Sequence, residues 1–530
     1  MPTPPFQLDS PPETGSSQIV SASSLTVSLP RPPRLFYRHG WQSWSLAAWT
    51  EPTPLPVQRP AILHPLQTDS RYANDVSPHS SWVGAVEFDD DDILLLGSLG
   101  LNAHVWLKEN LLVGRHEAND CEWFIARGNE SSVFAKYAEE LGKRFGAKSD
   151  KSVPRVWCSW YSLYTAINEE ILHQIFDGLN DLSFDFLQVD DGWQMSIGDW
   201  EANSKFPSGM NALVQKIRST GRKAGLWLAP LIAVESSHLF RGHPDWFLRD
   251  ESGSFVSAGF NWGEQLYALD VTHPAMLEWL AALMKQVRAW GFDYLKLDFL
   301  YAGALPGKRF TDMPREDAYR QGLKILREAM GHDAYFLACG APIIPSLGLC
   351  DALRIGPDVS GKWEDPRDAT LLYNFTTPGT RNAIRTSINR LWLQPLVAVD
   401  PDVAYFVEQE NALSLEQKQL LQDLALICNF KATSDLPQWM TSAERESLRR
   451  FLNAAPQVKQ LSRAKFQLDN RVVDFSSALA LPNPPRGPTK FPAAFLGWLG
   501  NRSFALNMFH RLNESAFRKK RQRAEIESSK

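Results

Sequence analysis

From about residue 150 onward, short apolar runs with little polar alternation take turns with stretches of helical periodicity. The runs are VWCSWYS (156–162), FDFLQVDDGW (184–193), KAGLWLAPLI (223–232), DYLKLDFLYA (293–302), AYFLACGAP (334–342), ALRIGPDV (352–359), VAVDPDVAYF (397–406) and FKATSDLP (430–437). Among the stretches between them are NEEILHQIFDGLNDL, MNALVQKIRSTG, PAMLEWLAALMKQVRAWG, REDAYRQGLKILREAMG, RNAIRTSINRLWLQ and SLEQKQLLQDLALICN, which read as amphipathic helices. Strands that are apolar on both faces belong to parallel sheets covered by helices. Eight strand candidates, with no GxGxxG after any of them, predict a (β/α)8 TIM barrel rather than an open doubly wound sheet. An insertion at 233–266 and the run YALDVT stay outside the eight.

The pattern before the barrel is β. Residues 18–29 alternate, and WVGAVEF (82–88), ILLLGSL (93–99), AHVWLKENLLVG (103–114) and CEWFIARG (121–128) follow with turn residues between them. This predicts a hairpin-rich, sandwich-like domain, with the aspartates 89–92 as a solvated turn. SSVFAKYAEELGKRFG (131–146) has helical periodicity with a Ser start and a Gly stop. After helix ERESLRRFLNAA, the segments QLDNRVVDFSSALAL, FPAAFLGWLG and NRSFALNMFH read as strands of a small C-terminal β domain, and RKKRQRAEIESSK (518–530) as a solvated tail. The expected organisation is an N-terminal β domain over 1–130, a linking helix over 131–150, a barrel over 151–445 and the C-terminal domain over 446–530.

Composition narrows the function. Of 530 residues, 60 are acidic and 55 basic, a net −5 that offers no attraction to nucleic acid or an anionic membrane. No apolar run approaches the roughly 18 residues of a membrane span. The N-terminal MPTPPFQLDSPPETGSS lacks the apolar core of a signal peptide, so the expected compartment is the cytoplasm. Five cysteines without CxxC or zinc spacing read as unpaired thiols in a reducing environment. The nineteen tryptophans suit a core, and also a protein that stacks the apolar faces of a polar ligand.

Catalytic groups of such a barrel lie at the C-terminal ends of the strands. There the chain places Asp190-Asp191-Gly192-Trp193, Lys296-Leu297-Asp298, Cys339-Gly340, Arg354 with Asp358, and Asp400-Pro401-Asp402, with no strand-end histidine. Converging carboxylates fit either a divalent metal site or glycoside cleavage by a pair of acids. Lys296 and Asp298 are two apart on a strand and share a face, so the ammonium is expected to keep Asp298 ionised and to compete with a metal. Asp298 and Asp358, on strands two apart, can face each other across a pocket.

LQVDDGWQ (187–194), LKLDF (295–299), ACGAP (338–342), RIGPDVS (354–360) and WCSWY (157–161) together resemble the α-galactosidases of glycoside hydrolase family 36. GWQSWS (40–45) is similar to that family as well. The resemblance implies retaining hydrolysis of terminal α-linked galactose without a metal or organic cofactor. It implies Asp298 as nucleophile, Asp358 as acid/base, Asp190 and Asp191 as binders of the 4- and 6-hydroxyls, and Lys296 and Arg354 beside the two catalytic acids. Trp227 and Trp193 are expected to wall the pocket. The Cys339-Gly340 turn is expected near the sugar 2-position, where a small residue leaves room for an N-acetyl group. The short N-terminal domain departs from the longer, often tetrameric relatives, leaving homo-oligomer formation open. An N-acetylgalactosaminide substrate, transfer to a sugar acceptor as in raffinose synthases, a non-catalytic sugar-binding role and a metal-dependent lyase are the competing readings.

Overall fold

The computed structural model describes residues 5–481, apart from 55–68, 73–74, 90, 118–120, 148, 150–151 and 365–375. The runs FPAAFLGWLG and NRSFALNMFH and the basic tail therefore lie outside the described residues.

The alternation near the N-terminus builds two sheets. One orders Phe6–Leu8, Ser24–Ser28, Leu111–His116, Ala103–Lys108 and His79–Ser81; the other orders Ser17–Ala22, Cys121–Gly128, Ile93–Ser98, Val83–Glu87, Leu35–His39 and Ala47–Thr50. They pack closely face to face: a Cβ on Gly114 of the first sheet would stand 2.6 Å from the Trp123 ring of the second. Ser24–Ser28 alternates half-buried and buried, as a strand with one covered face must. Ile93–Ser98 is buried throughout, because helix Glu130–Phe145 lies against it and Tyr137 donates its hydroxyl to Ser98 O at 2.7 Å. That helix starts slightly earlier than its serines suggest: Asn129 is the cap, accepting from Ser132 N, and Gly146 closes it in the left-handed conformation.

All eight expected parallel strands form: Arg155–Cys158, Phe186–Val189, Lys223–Leu228, Tyr294–Leu297, Tyr335–Ala338, Ala352–Arg354, Ala398–Asp400 and Lys431–Thr433. Each pairs with its successor through the seventh, and the eighth pairs with the first, giving a curled sheet in barrel order. Beyond the seventh strand, Ala404 N donates to Ala432 O of the eighth at 2.8 Å. Along the strands the inward positions form layers. Phe186, Tyr294 and Tyr335 stack in sequence at the N-terminal end (5.2 and 5.5 Å between rings). Two residues on come Gln188 and Lys296, and two further Asp190 and Asp298, so strand periodicity alone brings the acids to the C-terminal rim. The insertion forms an antiparallel sheet of Ile232–Val234, Glu264–Ala268 and Ser257–Asn261 over that rim, and YALDVT contributes to its middle strand, outside the barrel.

After helix Ser442–Asn453, capped by a Thr441/Glu444 box, Val458–Gln460, Lys465–Leu468 and Arg471–Asp474 make a small antiparallel sheet. The expected strand over SSALAL is instead helix Ser476–Leu479, whose first residue is fixed by the Asp474 side chain accepting from Ser476 N at 2.9 Å. Among the described residues, no helix is long and apolar enough to cross a membrane. All five cysteines are free.

Candidate active site

A pocket with about 570 Å³ of empty space, open solvent included, opens at the rim. Asp190, Asp191, Trp227, Lys296, Asp298 and Asp358 line it, joined by Trp44, Trp160, Asn261, Trp262, Phe299, Thr376 and Pro378.

Asp298 ends its strand where Phe299 turns into the left-handed region (φ 53°). Its two oxygens accept from Phe299 N at 2.7 Å and from Trp227 Nε1 at 3.1 Å, which fixes the plane of the carboxylate. Lys296 shares the inward face with Asp298 as expected, but its ammonium lies 2.9 Å from Asp190 Oδ2. Asp190 is buried within reach of the ammonium, whereas Asp298 already has two N–H donors. Gln188 Nε2 adds a bond of 2.6 Å to the same Asp190 oxygen, and Ser159 Oγ accepts from Asp190 N.

Asp191 accepts from Gln194 Nε2 at 2.6 Å and Trp262 Nε1 at 2.7 Å. Burial pushes its carboxyl up to about 6, against the pull of these two donors. Asp358 has 30% of its side-chain surface open and pairs with Arg354 at 3.0 Å. Burial raises its carboxyl above the ordinary range, Arg354 and Lys296 pull it back, and Asp298 and Asp190 add to the rise. The rise at Asp358 thus stands on desolvation first, with the neighbouring carboxylates adding to it.

Four expected residues do not line the pocket. Trp193 is fully buried behind it, donating Nε1 to Trp227 O at 3.0 Å and packing on Trp200 and Trp290; it supports the wall instead of forming it. Arg354 lies beneath Asp358, and Cys339 is buried. Gly340 (φ 52°) stands behind Asp298: a Cβ there would be 3.1 Å from Asp298 Oδ1, 3.1 Å from Phe299 N and 3.2 Å from the Trp44 ring. The direction a side chain would take from Gly340 is thus occupied by those three groups.

Two pocket tryptophans come from outside the barrel helices and strands. Trp44, in the segment 40–45 between strands Leu35–His39 and Ala47–Thr50, meets Phe299 edge-on at 5.4 Å. Its loop is sewn to the barrel by Ser43 N to Ala341 O (3.1 Å), Ile343 N to Trp41 O (3.0 Å) and a Gln42–Pro342 bridge. Buried Arg390 donates to the carbonyls of Gly40, Gln42, Ser43 and Ile355, at 2.7–3.0 Å. Trp262 comes from the insertion and packs between Trp227 and Phe299 at 6.2 and 5.3 Å. GWQSWS was the sequence signal for the first; the Asn261-Trp262-Gly263 turn offered none beyond its composition. Among the described residues no group of three or more His, Cys, Asp or Glu is arranged to hold a metal ion. The arrangement offers two acids on one pocket, Asp298 and Asp358, beside hydroxyl acceptors and aromatic faces, the equipment for splitting a polar, ring-shaped acetal.

The melibiase family model matches residues 132–327. The α-galactosidase TtGalA of Thermus thermophilus, solved with p-nitrophenyl α-D-galactopyranoside, superposes with a TM-score of 0.83 and 43% identity over 89% of this chain and 97% of its own. Its complex with stachyose gives 0.77 and 44% identity over 83% and 96%. Alpha-galactosidase 2 of Pediococcus pentosaceus is 29% identical over 177 residues. That alignment covers 32% of this chain and 23% of the relative, so the chain matches under a quarter of that longer protein.

Proposed function

This chain belongs to the melibiase family, glycoside hydrolase family 36, and from that premise we propose that it is a retaining exo-α-galactosidase. The observation that carries the reading is that Asp298 and Asp358 face one pocket together with Asp190, Asp191 and Lys296. In the first step an Asp298 oxygen bonds to the anomeric carbon as the glycosidic C–O bond breaks, and Asp358 gives its proton to the departing oxygen. In the second, water attacks the galactosyl ester, Asp358 takes a proton from it, and Asp298 leaves as carboxylate. Trp227 and Phe299 N–H groups orient Asp298 for attack; burial supports a protonated Asp358 at the start.

Asp190, locked by Lys296, and Asp191, steadied by Trp262, are read as acceptors for sugar hydroxyls, since a carboxylate accepts from two donors at once. Trp44, Trp160 and Trp262 offer apolar faces to the ring. The chain is read as a (β/α)8 barrel over 151–445 between β domains at 1–130 and 446–530, joined at 131–150. Its substrates are small galactosides such as those bound by the Thermus enzyme. It is read as a cytoplasmic protein with no nucleic-acid or membrane partner and no cofactor.

The test is release of nitrophenol from p-nitrophenyl α-galactoside by the wild type and by Asp298→Asn, in the presence of EDTA. Wild-type turnover with a fall of at least about 10³-fold in the variant is the expected result. Equal rates would remove Asp298 as nucleophile. Turnover only of the N-acetylgalactosaminide would replace galactose as the substrate, and loss of wild-type turnover in EDTA would restore the metal reading.

A further inference from the structure

Strand seven ends in Asp400-Pro401-Asp402, two rim carboxylates that the displacement above leaves without a role. Neither lines the pocket. Asp400 takes the Nε of Arg354 at 2.9 Å. Asp402 is buried in the left-handed region, φ 82°, a conformation that among residues with a Cβ is best tolerated by Asp and Asn. Its carboxylate accepts from the Tyr161 hydroxyl, from Val359 N at 3.0 Å and from Val403 N at 2.8 Å. It also pairs with Arg354 Nη2 at 2.8 Å. Two of these donors belong to the surroundings of Asp358: Val359 is the next residue along the chain, and the same guanidinium reaches Asp358 Oδ1 at 3.0 Å.

We propose that Asp402 is a positioning residue for Asp358, fastening the backbone directly after it and holding one arm of the guanidinium whose other arm reaches its carboxylate. The proposal rests on the reading of Asp358 as the acid/base.

The electrostatics follow from that geometry. One guanidinium serves three carboxylates, those of Asp358, Asp400 and Asp402. Lys296, Asp298 and Asp190 also act on Asp358, and Asp358 acts on the phenols of Tyr161, Tyr164 and Tyr405 and the thiol of Cys339. An ionised Asp402 draws off part of the Arg354 field, so Asp358 keeps its proton to higher pH. Removing that charge turns the field back onto Asp358 and favours its carboxylate. Burial pushes Asp402 itself up to about 6, so the charge arrives where a general acid needs the support.

The variant is Asp402→Asn, which keeps shape, tolerance of the backbone angle and one acceptor oxygen while deleting the charge. Titration of Asp358 is followed by carboxyl ¹³C NMR on aspartate-labelled protein, its signal assigned by loss in Asp358→Asn. The midpoint is expected to fall by about one pH unit or more, and the alkaline limb of kcat/KM on stachyose to move down with it. An unchanged midpoint overturns the proposal, whatever happens to the rate. If the wild type does not cleave galactosides, the glycosidase reading fails, while the NMR midpoint still decides whether Asp402 governs Asp358. If Asp402→Asn gives no cooperative melt, Tyr161→Phe replaces it. By removing a donor to the Asp402 carboxylate it is expected to shift Asp358 in the same direction, and absence of a shift overturns the proposal equally.

Discussion

Gly340→Ala isolates how tightly the Asp298 carboxylate, the proposed nucleophile, is held. The added methyl would sit 3.1 Å from Asp298 Oδ1 and from Phe299 N, and 3.2 Å from the Trp44 ring. Each contact is shorter than a relaxed carbon contact of about 3.5–4.0 Å, so at least one neighbour must yield by a few tenths of an ångström. Phe299 N is backbone, pinned to the Asp298 carboxylate at 2.7 Å, and the Trp44 loop is clamped by Arg390 and Ala341. The carboxylate is the softest of the three and moves. A misplacement of about 1 Å costs about 10²-fold in rate, so a shift of this size is expected to lower kcat by about 10-fold or somewhat more, or about 1.4 kcal/mol in the barrier. The backbone adds about 1–2 kcal/mol of lost stability, because φ of 52° disfavours any side chain. Gly209→Ala separates the two effects: its φ is 78° with nothing within 4 Å of a new Cβ, so it carries the backbone penalty alone. Steady-state kinetics on p-nitrophenyl α-galactoside and thermal melts of both variants are the assay. Wild-type kcat in Gly340→Ala, or an equal loss in Gly209→Ala, would refute the reasoning.

Arg390→Met removes the donors to four carbonyls, three of them in the loop that carries Trp44, while keeping the length of the side chain. Each orphaned buried acceptor costs about 1–3 kcal/mol before relaxation; KM for galactosides is expected to rise about 10-fold with a smaller change in kcat, and a variant that is merely less stable with unchanged KM would show that the loop does not depend on the clamp. Glu316, buried in the first turn of helix Arg315–Met330, accepts from Trp82 Nε1 and Asn102 N, and burial pushes it from 4.5 to about 7. The folded state therefore binds the proton more tightly, a contribution on the order of 3 kcal/mol that is full below about pH 4.5 and lost as pH rises through about 7. Glu316→Gln is expected to melt above the wild type at pH 8 and to converge with it at pH 5; parallel Tm profiles across that range would count against it.

The eight parallel strands and the helices between them are legible in the chain itself, because burial on both faces and a 3.6-residue period are local properties. The inward layering of Tyr294, Lys296 and Asp298 follows from the two-residue strand repeat, and that repeat is enough to carry the acids to the rim. Partnership is another matter. Lys296 shares a face with Asp298, yet its charge goes to Asp190, 106 residues away in the chain, since which acceptor lies across the barrel axis depends on strand stagger. Trp193 and Trp227 look equivalent as rim tryptophans, but one is buried behind the other, because a turn after Asp191 redirects the chain. Trp44 and Trp262 join the pocket from the segment 40–45 and from an inserted sheet, and neither contact has a local period to announce it. The sequence alone determined the barrel order, the β character of the N-terminal region and the set of rim carboxylates, all of which rest on short-range periodicity and strand ends. Only the tertiary structure decided which cation serves which acid, which aromatic faces the pocket, and that Asp402 lies against the loop of Asp358, because these are set by distances between segments tens to hundreds of residues apart.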